Sequence, residues 1–494
     1  MLPYQSLIVI DKNSGMTVYR QIANQLISLI QSGKIMPGSY LPGTRELAAL
    51  LSVHRNTIVH AYDELVIQGW LRAIPKKGFL IVPELPVIKP RSFHPEQHFP
   101  NPPIHESSEI NNVSFDNLLR KTQTSPIKLI VDDGFPDIEL TPFEYIMRSY
   151  RKLLNSGRIK ELLVPPYEHG TPGLKQSISN FLNQTRGLNI SSNNVLVTRG
   201  AQQAIYLAAA ILINPGDNVA VSYPNYFMAN EIFKQRGAVL HYIQVDENGM
   251  DVDQLEIMLR KITFKLLYVI PHHHHPTTAT MSAGRRLKLL NLIDQYNLKV
   301  VEDDYDYDFH FQNTPILPLA STNHGGRILY IGSFTKMLAP SFRIGYLIGA
   351  DVFLKFASSY RRLVDIRGDS MMEYAIAGLI DSGEIYRHIK RSRKLYNERC
   401  EYAFDLLKIH LSQIADFQKP QGGMAIWLKF RQEFPLKAIL EEAVNHGIHF
   451  NGSAYYDGID SSLNGFRFGF ASLGKENILK AIITLAEAAQ KLKK

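Results

Sequence analysis

The chain has 494 residues, of which 45% are hydrophobic and 20% charged, with a formal net charge of +8. This length exceeds that of one ordinary domain, and the apolar fraction suffices for more than one buried core. A single cysteine, Cys400, excludes a framework of intrachain disulfides and fits a reducing compartment. No cationic leader and no apolar stretch of membrane-spanning length is present, so we expect a soluble cytoplasmic protein without a membrane partner.

The first ninety residues predict three short helices followed by a hairpin. Apolar residues recur at helical spacing from Thr17 to Gln31. Pro42-Gly43-Thr44 predicts a turn and the start of a second helix, and Arg55-Asn56-Thr57 begins a third. Two strand-like runs flank the basic segment Pro75-Lys76-Lys77-Gly78. This order is typical of a winged helix-turn-helix, whose third helix enters the major groove of DNA.

Several of these segments resemble the GntR-type DNA-binding domain, among them Thr44-Arg45-Glu46-Leu47-Ala48, Arg55-Asn56-Thr57 and the run from Leu65 to Leu71. The resemblance implies a domain over residues 10–83 and a double-stranded DNA operator as partner. It also implies a set of DNA-facing residues, which are Arg45, Arg55, Asn56 and Thr57 from the helices and Lys76, Lys77 and Gly78 from the wing. Any one of these residues taken alone could be a solvated surface group or a helix cap.

Residues 84–128 are predicted to form a linker. Seven prolines fall between positions 83 and 103, and the segment has no sustained hydrophobic periodicity.

From residue 129 onward, strand-like runs alternate with helical ones. Such alternation favours an α/β domain with a mainly parallel sheet, in which ligands bind beyond the carboxyl ends of the strands. The candidate site residues fall there: Asp303 and Tyr305 follow one strand, and the segment from Ser333 to Lys336 follows another. Gly200-Ala201-Gln202 lies between a strand and a helix whose first amides could hold a phosphate.

Lys336 lies in Ser333-Phe334-Thr335-Lys336, and Arg343 follows seven residues later. An amine beside hydroxyls and an arginine suits a Schiff-base lysine next to a phosphate clamp. On this motif alone, a solvated lysine in a surface loop remains the alternative.

Together these motifs resemble the fold type I, aminotransferase-like enzymes that use pyridoxal 5'-phosphate (PLP). The resemblance covers residues 129–494 and implies a smaller C-terminal subdomain after the sheet. With a GntR-type module in front, the whole chain is similar to the MocR family of bacterial transcription regulators. Neither domain alone would distinguish a regulator from an enzyme.

The resemblance implies a role for each matching residue. Lys336 would form the internal aldimine with PLP, and Asp303 would pair with the pyridinium nitrogen. Tyr305 would donate to the phenolic oxygen of the cofactor, and Tyr226 would stack on its ring. The phosphate would be held by a group of five residues after Gly200, namely Ala201, Gln202, Ser333, Thr335 and Arg343. Arg467 would bind the carboxylate of an effector, and Tyr167 would reach the site of a neighbouring subunit in a homodimer.

The segment His272-His273-His274-His275 departs from the family pattern. His275 stands where related enzymes have an asparagine that contacts the phenolic oxygen, so the cofactor is expected to bind while transamination suffers. Four histidines also raise the possibility of a metal site. Because consecutive side chains point in different directions, we expect no metal there.

These observations favour a PLP-dependent DNA-binding regulator that senses an amino compound or PLP itself, with at most residual aminotransferase half-reactions. The alternatives are a working aminotransferase for amino acids with an accessory DNA-binding module, and a DNA-binding protein with a degenerate cofactor site.

Overall fold

The structure is a computed structural model that describes residues 3–11, 16–83, 128–157, 160–161, 167–311, 316–451 and 463–492. The chain divides into two compact units, Met1–Val113 and Ser114–Lys494. Apart from Lys128, the predicted linker lies outside the described residues. Among the helices that the structure describes, none combines the length and the apolar character needed to cross a bilayer.

The described residues of the first unit form four helices and one hairpin. The helices are Tyr4–Leu7, Val18–Gln31, Thr44–Leu51 and Arg55–Ile67, and the strands are β1 (Leu71–Ile74) and β2 (Gly78–Ile81). The strands pair in antiparallel register from Leu71 opposite Ile81 to Ile74 opposite Gly78. The helices pack around a core that includes Ile22, Leu47 and Tyr62, one buried residue from each of the three longer helices. The predicted winged helix-turn-helix is confirmed.

The second unit is built on an eight-stranded sheet with the order β4-β11-β10-β9-β8-β5-β6-β7. Its strands are β4 (Val195–Thr198), β5 (Asn218–Tyr223), β6 (Val239–Asp246), β7 (Gly249–Met250), β8 (Leu266–Val269), β9 (Val300–Asp303), β10 (Ile328–Ser333) and β11 (Gly345–Ile348). Strands β4, β8, β9, β10 and β11 are buried at every residue. Near-continuous apolar strands of this kind require helices on both faces of the sheet. Two large hydrophobic clusters on the unit provide that cover.

Further helices and two smaller sheets complete the part of the second unit that the structure describes. The helices are Phe143–Asn155, Pro172–Arg186, Gly200–Leu212, Phe227–Gln235, Val252–Leu259, Ala283–Gln295, Asp351–Arg361, Ser370–Asp381, Glu384–Leu411, Leu436–Asn445 and Lys475–Leu492. A parallel pair joins β3 (Leu129–Val131) to β14 (Ile448–Phe450), and an antiparallel sheet joins β12 (Ala415–Phe417), β13 (Ala425–Phe430) and β15 (Gly465–Gly469).

The mainly parallel α/β fold is confirmed, with one feature that the sequence did not reveal. Strand β11 runs antiparallel to both of its neighbours, β10 and β4. A fully buried antiparallel strand is as apolar as a parallel one, so the hydrophobic pattern cannot distinguish the two directions. The tight connection through Pro340–Phe342 sets the direction, because it is too short for a crossover helix.

Candidate functional site

Two neighbouring strand ends place the central residues of the site. Strands β9 and β10 are parallel, and Asp303 at the end of β9 pairs in register with Ile331 of β10. Ser333 ends β10, and Lys336 follows three residues later. Because parallel strands end at the same edge of a sheet, the carboxylate and the amine are brought to one edge as predicted.

Asp303 is almost fully buried, with 3% of its surface exposed. Its Oδ2 accepts a hydrogen bond of 2.6 Å from the Tyr268 hydroxyl, while its Oδ1 has no partner among the described residues. Burial raises the pKa of Asp303 to about 7, against the opposing effect of the Tyr268 hydrogen bond and with help from the charge of Asp304. This carboxyl group therefore has no cationic partner in the part of the chain that the structure describes.

Lys336 points inward, and its Nζ donates to the main-chain oxygen of Gly134 at 2.5 Å. The same nitrogen lies 3.8 Å from the centroid of the Phe135 ring. Burial lowers the pKa of Lys336; the charge of Asp133 opposes this effect and that of Arg467 adds to it. A buried amine with a lowered pKa is the form of lysine that acts as a nucleophile. The surface-loop alternative for Lys336 is wrong.

A cradle of polar groups lies at the start of the helix Gly200–Leu212. Gly200 has a φ of +75°, and a Cβ built on it would lie 3.1 Å from the guanidinium of Arg343. Arg343 is itself left-handed, with a φ of +49°, and its Nη2 donates to the Arg199 carbonyl at 2.9 Å. Thr335 contributes a buried Oγ1 that has no partner among the described residues. Donors converging on a helix N-terminus form an anion site, and Ser333 adds a buried hydroxyl nearby in sequence.

The first turn of this helix also contains Ala201 and Gln202, which are both half-buried. Their amides belong to the first four of the helix, which have no partner within it. Tyr167 is likewise half-buried, but no hydrogen bond or ring contact joins its side chain to the site as far as the described chain extends.

Three rings line the space near Asp303. The Tyr226 and His275 rings meet edge to face with centroids 5.2 Å apart, and the His275 and Tyr305 centroids are 6.2 Å apart. Burial, the charge of Arg467 and that of Lys336 lower the pKa of His275 to about 4, so its ring is neutral near pH 7. The Tyr305 hydroxyl donates to the His273 carbonyl at 2.8 Å. The predicted donation from Tyr305 to a ligand therefore requires this hydroxyl to exchange partners.

Arg467 lies on β15, and only 1% of its surface is exposed. Its Nε donates to the Asp133 carbonyl at 2.8 Å and its Nη1 to the Pro276 carbonyl at 3.2 Å. A Cβ on Gly134 would lie 3.2 Å from its Nη2, so a glycine at that position leaves room for the guanidinium. The arginine is held rigidly by main-chain oxygens, as bidentate recognition of a carboxylate requires.

Asp133 is a residue of the site that sequence reasoning missed. The preceding Asp132 accepts hydrogen bonds of 2.8 Å from the amides of Gly134 and Phe135, and this turn directs Asp133 towards the site. Its Oδ2 lies 3.8 Å from the Nε2 of His275. Burial acts to raise the pKa of Asp133, but His275, Lys336 and Arg467 together hold it well below its usual range. An Asp-Asp-Gly turn after a short strand was the only signal in the sequence.

The four rings of the histidine run take four different partners. The Nε2 of His272 lies 2.6 Å from the Ile316 carbonyl, and the Nδ1 of His273 lies 2.9 Å from the Oδ1 of Asp306. The Nε2 of His274 lies 2.8 Å from the Ser222 hydroxyl, whereas His275 faces Tyr226. The described residues contain no group of three or more His, Cys, Asp or Glu arranged to hold a metal ion.

The first unit presents its candidate residues to solvent. Arg45, Arg55, Asn56, Lys76, Lys77 and Gly78 are exposed, and Thr57 is half-buried. The Nδ1 of His54 accepts a hydrogen bond of 3.2 Å from the Asn56 amide, so His54 caps the third helix. Lys76 and Gly78 have φ values of +63° and +106°, which form the tight turn at the tip of the wing. Both basic elements are thus available to a DNA backbone.

Each of the two units matches a different family of known proteins. Residues 141–485 match the family described as aminotransferase class I and II, and residues 18–81 match the bacterial regulatory proteins of the gntR family. The chain is 25% identical to the probable rhizopine catabolism regulatory protein MocR of Rhizobium meliloti over 98% of this chain and 96% of that protein. It is 26% identical to the HTH-type transcriptional regulator TauR of Rhodobacter capsulatus over 99% of both chains.

A solved structure, kynurenine aminotransferase of Pyrococcus horikoshii in complex with PMP, is similar with a TM-score of 0.71 and 26% identity. The similarity covers 78% of this chain and 99% of that one. The aminotransferase family matches more than half of the residues of the chain, and this match shows the family to which the chain belongs. The chain belongs to the aminotransferase class I and II family and carries a gntR-family DNA-binding module at its N-terminal end.

Proposed function

We propose that this protein is a PLP-dependent, DNA-binding transcription regulator of the MocR type. The observation that carries the proposal is one chain that contains both an exposed basic helix-turn-helix and a buried Asp303–Lys336 site. Relatives named as regulators match both parts over nearly their whole length, whereas the aminotransferase of known structure matches the second part alone.

The residues present fit PLP at its ring nitrogen, its phosphate and its aldehyde. The unpartnered Oδ1 of Asp303 suits a protonated ring nitrogen, since the ionised carboxylate otherwise lacks a counter-charge. The unpartnered Oγ1 of Thr335, together with Gly200 and Arg343, suits a phosphate. Lys336 supplies the buried amine that attaches to the aldehyde.

When bound, PLP supplies an electron sink to which an amino compound can attach covalently. The protein's own residues do the rest. Asp303 would hold the ring nitrogen of the cofactor in its protonated form, and Tyr226 would stack on the cofactor ring. Arg467 binds a carboxylate of the amino compound, and its fixed main-chain contacts orient that ligand. The neutral ring of His275 stands beside the site without adding a charge.

The first unit binds double-stranded DNA. Arg55, Asn56 and Thr57 begin the third helix, which is the end that reaches base edges in this architecture. The DNA phosphates are contacted by Arg45 and by the wing residues Lys76, Lys77 and Gly78. These contacts position the third helix on the DNA.

The effector is an amino compound or PLP itself. A ligand can change DNA binding only through different affinities for two arrangements of the protein, so the effector must favour one arrangement over the other. With the cofactor bound, an amino compound bonded to it would leave the Lys336 amine free, and this change in the contacts of Lys336 would supply the difference between the two arrangements.

The protein acts in the cytoplasm as a homodimer, in which Tyr167 reaches the neighbouring site. Exposed apolar side chains support self-association: Val352 and Phe356 are 66% and 65% exposed one turn apart on a helix, and Leu363 just beyond it is 82% exposed. Apolar side chains grouped in this way mark an interface.

Absorbance of the purified protein tests the cofactor claim. We expect the wild-type protein to show a visible absorbance band of the cofactor. Borohydride should attach the cofactor permanently to the peptide that contains Lys336. The Lys336→Ala variant should lack the band after dialysis. Lys234→Ala is the control, because Lys234 is an exposed lysine paired with Glu231 on a surface helix. A wild-type protein without a chromophore, or a modified peptide elsewhere, would refute the assignment.

A working aminotransferase is the second candidate, favoured by the presence of both Asp303 and Lys336 at one edge of the sheet. Multi-turnover transfer between amino donors and 2-oxo acids that survives deletion of residues 1–82 would establish it. We expect single half-reactions at most, because His275 replaces an amide donor beside the cofactor.

A further inference from the structure

A cleft outside the Asp303–Lys336 site opens between two helices and a turn of the second unit. It has a volume of about 270 Å³ and lies between the helix Pro172–Arg186, the turn Tyr307–His310 and the helix Glu384–Leu411. None of the residues discussed above as cofactor contacts lines it. A cavity of this size suits a small molecule rather than a peptide.

The cleft carries an excess of positive charge. Lys390 and Arg393 line it from adjacent turns of one helix, and within the described chain neither side chain makes an ion pair or a hydrogen bond. The acid in the lining, Asp308, is paired at 2.5 Å with the buried guanidinium of Arg186. Two unpaired cations beside a neutralised acid attract an anion.

The remaining walls are largely aromatic. Phe181, Tyr307 and Tyr386 line the cleft, and the Phe181 and Tyr386 ring centroids are 5.3 Å apart. The Arg186 guanidinium lies 4.5 Å from the Tyr307 centroid and 5.1 Å from that of Phe181, which keeps the rings in place. Fixed ring faces and edges favour a planar apolar group. The lining as a whole therefore suits an aromatic ring bearing a carboxylate.

A chain of hydrogen bonds connects the cleft to the cofactor site. His310 lines the cleft, and its Nδ1 lies 3.3 Å from the Nε2 of His273. The other ring nitrogen of His273 contacts Asp306 at 2.9 Å, and its carbonyl accepts the Tyr305 hydroxyl at 2.8 Å. Burial and the neighbouring histidines lower the pKa of His310 to about 4, so its ring is neutral near pH 7.

We propose that this cleft binds a small aromatic carboxylate and that His310 and His273 transmit its occupancy to Tyr305. The second half of the inference rests on the proposed cofactor function, whereas the first half does not. A ligand that shifts His310 displaces His273, whose carbonyl fixes the hydroxyl that the cofactor site uses. The cleft would then be a second input to the regulator, separate from the amine that meets Lys336.

Calorimetric titration of the full-length protein with benzoate tests the binding. We expect benzoate to bind at least tenfold more tightly than inorganic phosphate or cyclohexanecarboxylate, and Arg393→Gln to weaken it at least tenfold. Lys394→Gln is the matched control, because Lys394 is an exposed neighbour that does not line the cleft. Thermal unfolding of each variant verifies that it is folded.

Three results overturn the site. One is benzoate affinity that Arg393→Gln leaves unchanged. Another is affinity that Arg467→Gln abolishes, which assigns the ligand to the cofactor site. The third is phosphate binding as tight as benzoate binding, which reduces the cleft to a general anion site. Because calorimetry requires neither cofactor nor DNA, these outcomes are independent of the proposed function.

The connection is tested by cofactor absorbance. Saturating benzoate should shift the spectrum of the wild-type protein. His273→Gln, at a residue that does not line the cleft, should retain benzoate binding within about threefold while losing that shift. Benzoate binding without any spectral change in the wild-type protein overturns the connection, and so does a shift that His273→Gln preserves.

Discussion

Replacement of Asp303 by asparagine should stabilise the cofactor-free protein and at the same time weaken its hold on PLP. The carboxylate is 3% exposed, and its Oδ1 has no partner among the described residues. Without a pyridinium, ionisation of this group is costly because the charge is taken from water into an apolar site. Asparagine keeps the shape and can still accept from Tyr268, but carries no charge.

The magnitude follows from the pKa shift. Burial raises the pKa of Asp303 from 3.8 to about 7. The folded state thus binds the proton more tightly than the unfolded chain, so this group's contribution to stability is complete below pH 3.8 and is lost as the pH rises through about 7. The full loss is about 4 kcal/mol at about 1.4 kcal/mol per pKa unit, and about 2–3 kcal/mol of it falls between about pH 5 and pH 8. Glu302, whose pKa burial also raises, to about 8, remains in both proteins and cancels from their difference.

Urea denaturation of PLP-stripped protein measures this difference. Trp70 and Trp427 are the two tryptophans, so a Trp70→Phe background leaves Trp427 to report the second unit alone. The free energy of unfolding of Asp303→Asn minus that of the parent should increase by about 2–3 kcal/mol between about pH 5 and pH 8. The variant should bind PLP about 10–100-fold more weakly, as expected for loss of one buried charge-assisted hydrogen bond. If the free energies of unfolding of the two proteins changed in parallel with pH, the pKa of Asp303 would not be raised in the folded protein.

Three further predictions follow from particular residues. Gly200→Ala should weaken PLP binding by about tenfold, because Gly200 has a φ of +75° and an added Cβ would lie 3.1 Å from the Arg343 guanidinium. Gly284→Ala is the control and should leave PLP binding unchanged, because an added Cβ there meets open space. Spectrophotometric titration with PLP measures both affinities. Arg55→Ala should weaken operator binding in fluorescence anisotropy without loss of the cofactor band, and unchanged affinity would remove its assigned role. Phe356→Glu, at a residue 65% exposed, should yield monomers in light scattering, whereas Ile257→Glu, at a residue 58% exposed, should stay dimeric; a dimeric Phe356→Glu would place the interface elsewhere.

Much of the fold was predictable because hydrophobic period and turn residues are local signals. The helix after Arg55, the wing around Lys76-Lys77-Gly78 and the strands ending at Asp303 and Ser333 could each be found from a short stretch of sequence. The direction of β11 could not, because a buried strand shows the same pattern whichever way it runs. The cap that the His54 ring provides to the third helix could not be predicted either, because histidine is not among the residues that usually cap a helix.

The sequence alone determined which residues could do chemistry. These are Lys336, an amine among hydroxyl groups, Asp303, an acid that follows a strand, and the basic residues of the N-terminal DNA-binding module. The tertiary structure decided the charge state of Lys336 and Asp303 and the residues that surround them. Asp133 joins Lys336 only because a turn after β3 folds back across about two hundred residues, and the His273–His310 contact joins two segments nearly forty residues apart. Burial and long-range contact set these properties, and neither is encoded in a local pattern.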